Sequence, residues 1–106
     1  MKQESVRLLF DYDCDTGILT RKTTVSWNAE KGSEAGSING AGYRALRIDG
    51  SHYLVHRIIW LWQYGDWPQF EIDHINNVRT DNRLINLRDV THGENQQNRI
   101  DSKYSF

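Results

Sequence analysis

At 106 residues and 12.4 kDa the chain has room for one domain with a modest core, and four Trp, five Tyr and three Phe make that core rich in aromatic rings. Thirteen Lys and Arg against fourteen Asp and Glu leave a net charge of −1, which excludes a global field that would draw in a polyanion; any nucleic-acid affinity must come from local clusters of Arg. The single cysteine, Cys14, excludes an internal disulfide and a paired CxxC zinc knuckle.

No apolar run approaches the about 18 residues of a membrane span. The opening "MKQESVRLLF" lacks a signal-peptide core, so a soluble, cytoplasmic protein is expected. Along the chain, "SVRLLFDYDCDTGILTRK" (5–22) reads as a short apolar segment, a turn at "DTG" and a strand at "ILTRK". Residues 23–42, rich in Ser, Gly, Asn and Ala with Trp27 as the large anchor, form the least regular part. Then "YRALRI" and "HYLV" flank Asp49-Gly50, the pair suited to a tight hairpin turn. Leu46 and Ile48 share one strand face with Arg44, while Tyr43, Ala45 and Arg47 take the other. "HRIIWLWQY" (56–64), closed by Gly65 and Pro68, predicts a short helix that is apolar almost all round and therefore buried or covered by a partner.

The last third changes texture. "EID" predicts a brief strand ending at His74, "INNVRTDN" a polar loop, "RLIN" a helical turn and "LRDV" a second strand. "THGENQQNRI" predicts a helix whose start is marked by the capping box Thr91–Glu94. Asp73 is a hard oxygen ligand, and a neutral His74 is a proton acceptor near neutral pH. Taken alone, the pair is more readily read as a loop-capping Asp beside a His bonded to a buried carbonyl. Asn95, one turn into the predicted helix, offers a second oxygen donor, or else faces solvent. Two oxygen donors without a nitrogen or sulfur cage suit Mg²⁺, which keeps waters and takes the rest of its shell from a phosphate; they do not suit zinc. Asn86, between Ile85 and Leu87, can hold the loop that carries His74 but cannot act as acid or base.

The set Asp73-His74, Asn86 and Asn95, within "HRIIWLWQYGDWPQFEIDHINNVRTDNRLINLRDVTHGENQQN", resembles the HNH endonucleases. It looks most like the small phage-encoded members, including free-standing homing-type nicking enzymes. Upstream, "FDYDCDTGILTRK", "GSINGAGY" and the hairpin into "VHR" look like the same subgroup. The resemblance implies an α+β fold: an N-terminal β-hairpin region and a short buried helix, followed by a C-terminal ββα-metal motif. It implies one domain over 1–106, made of a β-rich DNA-contacting region (1–55), the helix plus nuclease core (56–100) and a tail (101–106).

The resemblance also assigns roles. His74 would be the general base, and Asn86 the middle Asn of the motif, fixing the loop and the histidine. Asp73 and Asn95 would hold one divalent metal, Mg²⁺ or Mn²⁺, with no structural zinc. Arg57 would contact phosphate, with His56 supporting the site edge. Asn77 stands where these phage proteins commonly carry Gly.

From residue 44 onward eight residues are basic and seven of them are Arg. Arg79, Arg83, Arg88 and Arg99 flank the candidate site in sequence as a phosphate track, and Asn98 shares the predicted helix face of Asn95. Arg44 and Arg47, on the hairpin, are placed to reach a groove. The expected partner is double-stranded DNA. A single site predicts nicking of one strand by a monomer or weak homodimer. The competing readings are a non-catalytic DNA-binding module on the same scaffold and an interaction protein that docks through the aromatic helix 57–64.

Overall fold

The run that opens at Val55 forms a ten-residue helix, α2 (Val55–Tyr64), and the rest of the fold is arranged around it. Gly65 ends the helix in the left-handed conformation, φ +90°, donating its N–H to the Leu61 carbonyl; a residue with a Cβ adopts this geometry at a cost. Val55, His56, Ile58, Ile59 and Leu61 are buried, and Trp60 and Trp62 pack partly covered beside them. The predicted all-round apolar helix is thus covered largely by its own chain. The computed structural model describes residues 1–24, 27 and 29–91.

The N-terminal stretch is a helix, α1 (Gln3–Leu9), that runs directly into a hairpin of β1 (Phe10–Asp13) and β2 (Ile18–Arg21). The short apolar segment foreseen at the start of residues 5–22 is therefore helix α1 leading into strand β1, ahead of the expected turn and strand. Helix α1 is tied to α2 at one atom: the Trp62 carbonyl accepts from Gln3 Nε2 at 3.1 Å and Arg7 Nε at 2.9 Å. Trp62 Nε1 in turn donates to the Phe10 carbonyl at 2.9 Å, so the indole N–H is satisfied where the ring is half-buried.

A three-stranded antiparallel sheet follows, in the order β3 (Ser37–Ile38), β4 (Arg44–Ile48), β5 (Ser51–Leu54). The turn at Asp49 (φ +49°) and Gly50 (φ +82°) has both central residues left-handed, as the right-handed strand twist requires of a two-residue hairpin. Leu46 and Ile48 face the core and Arg47 is exposed, matching the alternation read from the sequence. The Gly-rich connection is ordered by Asn39, whose Oδ1 accepts from the N–H groups of Ala41 and Tyr43, both at 3.0 Å.

A third unit pairs β6 (Glu71–His74) with β7 (Leu87–Val90) in antiparallel register, Asp73 opposite Arg88 and His74 opposite Leu87. The expected helical turn at "RLIN" is a single 3₁₀ turn, Leu84–Asn86. Asp89 fixes the entrance to β6 by accepting the Gln69 and Phe70 N–H groups. The chain is α+β with small antiparallel sheets, as expected. The predicted helix after Thr91, its capping Glu94 and the tail lie outside the described residues. No helix among the described residues is long and apolar enough to cross a membrane.

Candidate active site

The site is built at the end of β6. His74, the last residue of the strand, is buried, and its Nε2 lies 2.9 Å from Asn82 Oδ1. An amide oxygen only accepts, so this contact favours the tautomer with the ring proton on Nε2 and the lone pair on Nδ1. The ring is walled by His56, edge-to-face at 4.8 Å between centroids, and by Tyr43 at 5.7 Å. Tyr43 also lies against His56 at 5.3 Å. Burial first, then the neighbouring His74 and Arg57, depress the His56 imidazole to about 3, so it stays neutral. His56 Nδ1 has no hydrogen-bond partner among the described residues.

Asp73 is buried beside His74, yet the two side chains meet different partners. Asp73 Oδ2 pairs with Arg88 Nε at 3.3 Å, directly across the strand pair. That neighbour keeps a carboxylate inside the protein with a cation against it, as a buried charge requires.

Between the strands the polar loop is locked by Asn86. Its Oδ1 accepts the Asn76 N–H at 3.0 Å, and its Nδ2 donates to Asn76 Oδ1 at 2.9 Å and to the Asp81 carbonyl at 2.8 Å. Asn76 Nδ2 donates to Asp81 Oδ2, and Asp81 accepts two hydrogen bonds from the Arg83 fork at 2.8 Å each. The Arg83 bonds hold the Asp81 carboxyl down at about 2. The loop turns at Asn77, φ +62°, the left-handed geometry that explains why Gly suits this position; Asn is among the residues that tolerate it.

The arginines expected to face phosphate are distributed unevenly. Arg47 is exposed, with Nη2 2.9 Å from His52 Nε2, and Arg57 lies over the Trp67 ring at 5.9 Å. Arg44 turns inward, pairing with Glu34 at 3.1 Å and donating to the Gly36 carbonyl. Arg79 stacks 5.0 Å over Tyr43 and donates to the Ala41 carbonyl, joining the Gly-rich turn to the His74 loop. Arg83 and Arg88 are held by Asp81 and Asp73. Asn95, Asn98 and Arg99 lie outside the described residues.

The structure thus brings together His74, Asn86 and His56, with Asp73 on the neighbouring position. It adds two residues that sequence reasoning passed over. Tyr43 was legible only as one face of a strand, and Asn82 as one polar residue in a run of them. The signal that marks Asn82 is its burial, which only the fold supplies.

Residues 53–97 match the sequence profile of the HNH endonucleases. The fold matches a solved structure described as "DNA binding and cleavage by the HNH homing endonuclease I-HmuI", with a TM-score of 0.61 and 22% identity, over 89% of this chain and 53% of that one. The chain therefore spans about half the length of that protein. No curated protein sequence matches the chain. A buried histidine at a strand end, an Asn-locked loop and a paired strand that carries an acidic neighbour are the framework on which that profile falls: residues 53–97 are similar in sequence to the HNH endonucleases, and the fold of the chain is similar to that of an HNH homing endonuclease.

Proposed function

We propose that the chain is a metal-dependent DNA endonuclease that hydrolyses one phosphodiester bond per binding event, nicking one strand. The observation that carries this reading is the placement of His74: buried at the strand end, with Nε2 engaged 2.9 Å from Asn82 Oδ1, which leaves Nδ1 as the nitrogen for a water. In-line attack on a phosphodiester needs a water relieved of its proton, and an imidazole with a free ring nitrogen is suited to take it. His74 Nδ1 accepts that proton as the water oxygen bonds to phosphorus and the P–O3′ bond breaks, the departing 3′ oxygen taking a proton from solvent. The products are a 5′ phosphate and a 3′ hydroxyl. Asn86 keeps the loop from yielding as this happens, and the His56 and Tyr43 rings restrict the His74 ring to one orientation.

The donor set fits a hard divalent ion. Asp73 supplies a carboxylate already holding a cation, and Asn95 would supply an amide oxygen; among the described residues no group of three His, Cys, Asp or Glu forms a cage of the kind zinc takes. When bound, Mg²⁺ or Mn²⁺ would supply charge stabilisation at the scissile phosphate and the leaving oxygen. Arg47 and Arg57, which among the described residues are not committed to carboxylates, are the first candidates for phosphate contact on double-stranded DNA.

The test is supercoiled plasmid incubated with and without Mg²⁺. The wild-type chain is expected to give open circle only with metal, and His74→Ala to give none. Equal nicking by His74→Ala removes His74 from the mechanism. DNA retardation without cutting under any divalent metal leaves a binding module.

A further inference from the structure

Asn82 belongs to the loop before the 3₁₀ turn, but what surrounds it comes from the far end of the chain. Its side chain is turned inward to His74, and the residue is 2% exposed. Its backbone carbonyl accepts from Tyr12 Oη of β1 at 2.5 Å. Gly17, in the turn between β1 and β2, lies so close that a Cβ there would stand 2.5 Å from the Asn82 carbonyl carbon and 2.4 Å from Arg83 N. One residue further, Leu84 N donates to the Cys14 carbonyl at 3.3 Å. Three contacts from one hairpin thus close on three consecutive residues, 82–84.

We propose that Asn82 is a positioning residue that sets the tautomer of His74, and that the N-terminal hairpin β1–β2 holds Asn82 in place to do so. This rests on the reading of His74 as the general base. A neutral imidazole has two tautomers, and only the one with Nε2 protonated leaves Nδ1 able to take a proton. The Asn82 oxygen selects that form because it has no hydrogen to give. Turning the amide toward the ring requires the backbone of Asn82 to stay fixed. Nothing in β6 or β7 bonds to that carbonyl; Tyr12 does. Burial, with Cys14 and Asp13 nearby, pushes the Tyr12 phenol above its ordinary range, so it remains an O–H donor. Gly17 permits the approach, since its φ of +75° and the missing Cβ leave room for the backbone of 82–83. The hairpin precedes the HNH profile match, which begins at residue 53, so the base is oriented by a part of the chain that the profile does not cover.

The experiment uses full-length chain with ¹⁵N-labelled histidine near neutral pH, with the His74 ring assigned by its loss in His74→Ala. The wild-type ring is expected to show the Nε2-protonated tautomer with its ring proton slow to exchange. Asn82→Leu, which keeps bulk and removes the acceptor, should speed that exchange about tenfold or more, the equivalent of one buried hydrogen bond. Tyr12→Phe leaves the Asn82 side chain intact and should speed it in the same direction. In the plasmid assay, Asn82→Leu should lower the single-turnover nicking rate roughly 10- to 100-fold, as loss of an orienting partner commonly does, with DNA retardation unchanged.

An Nδ1-protonated ring in the wild type, which needs no variant to fold, overturns the proposal. Unchanged exchange in a folded Asn82→Leu does the same. Faster exchange in Asn82→Leu with none in Tyr12→Phe removes the hairpin from it. If no version nicks DNA, the nuclease reading fails by itself, and the ring spectrum still decides the role of Asn82.

Discussion

Acid should loosen this protein through one ring. His56 is buried against His74 and Tyr43, with Arg57 next to it in sequence, and among the described residues no acidic group pairs with it. Its folded-state value of about 3 lies well below the ordinary 6.5. A depressed basic group contributes stability that is fully present above the unfolded value and is lost as pH falls toward the folded one. The window is therefore from about 6.5 down to about 3. Each pH unit inside it is worth about 1.4 kcal/mol, so a drop to about pH 4.5 should remove roughly 3 kcal/mol from wild-type stability. Against a total of about 5–15 kcal/mol for a small domain, that is a large fraction. His56→Phe keeps a ring against His74 but cannot take a proton. Urea unfolding at about pH 7 and about pH 4.5, compared between wild type and His56→Phe, isolates the effect as a difference of differences. The reasoning is refuted if both chains lose the same stability on acidification.

Asn86→Ala removes three buried hydrogen bonds and strands the Asn76 N–H, so it should cost about 3 kcal/mol in chemical denaturation and abolish nicking through disorder of the His74 loop. Arg88→Ala removes the guanidinium from the Asp73 carboxylate; it should lower the Mg²⁺ concentration for half-maximal nicking, read by metal titration, while stability falls by roughly 3 kcal/mol, the order seen on breaking a pair with a buried partner. Asn95→Ala should move that metal midpoint upward with the circular dichroism spectrum unchanged. Gly17→Ala forces a Cβ into the backbone of residues 82–83 at a left-handed position, and should lower stability by about 2 kcal/mol or more, measured as the urea midpoint.

Local features were readable because local physics sets them. Asp49-Gly50 fixes its hairpin since both residues accept positive φ, and Gly65 with Pro68 fixes the end of α2. The strand–loop–strand order around His74 follows from Ile72, Leu84, Leu87 and Val90 punctuating a polar stretch. Asn86 was legible as a loop clasp because an amide flanked by Ile85 and Leu87 must find partners when buried. What the sequence hid was set at long range. Arg44 looks like a free basic residue until Glu34 and the Gly36 carbonyl stand beside it. Helix α1 has only seven residues, too few for periodicity to reveal, and is made by docking on the Trp62 carbonyl. Asn82 differs from Asn76 and Asn77 in no local respect; its partner on one side is eight residues away and on the other seventy.

The bridge from Arg79 to Ala41 and Tyr43 bears on how such a chain can be taken apart or recombined. A fragment cut at Tyr53 would retain every residue of the profile match and lose the Tyr43 side of the aromatic wall, the turn that steadies Arg79, and the phenol that grips the 82–84 segment. Any chimera that replaces the front half would have to import equivalents of Tyr12, Gly17 and Tyr43. The severable part, in this architecture, is smaller than the motif's outline suggests.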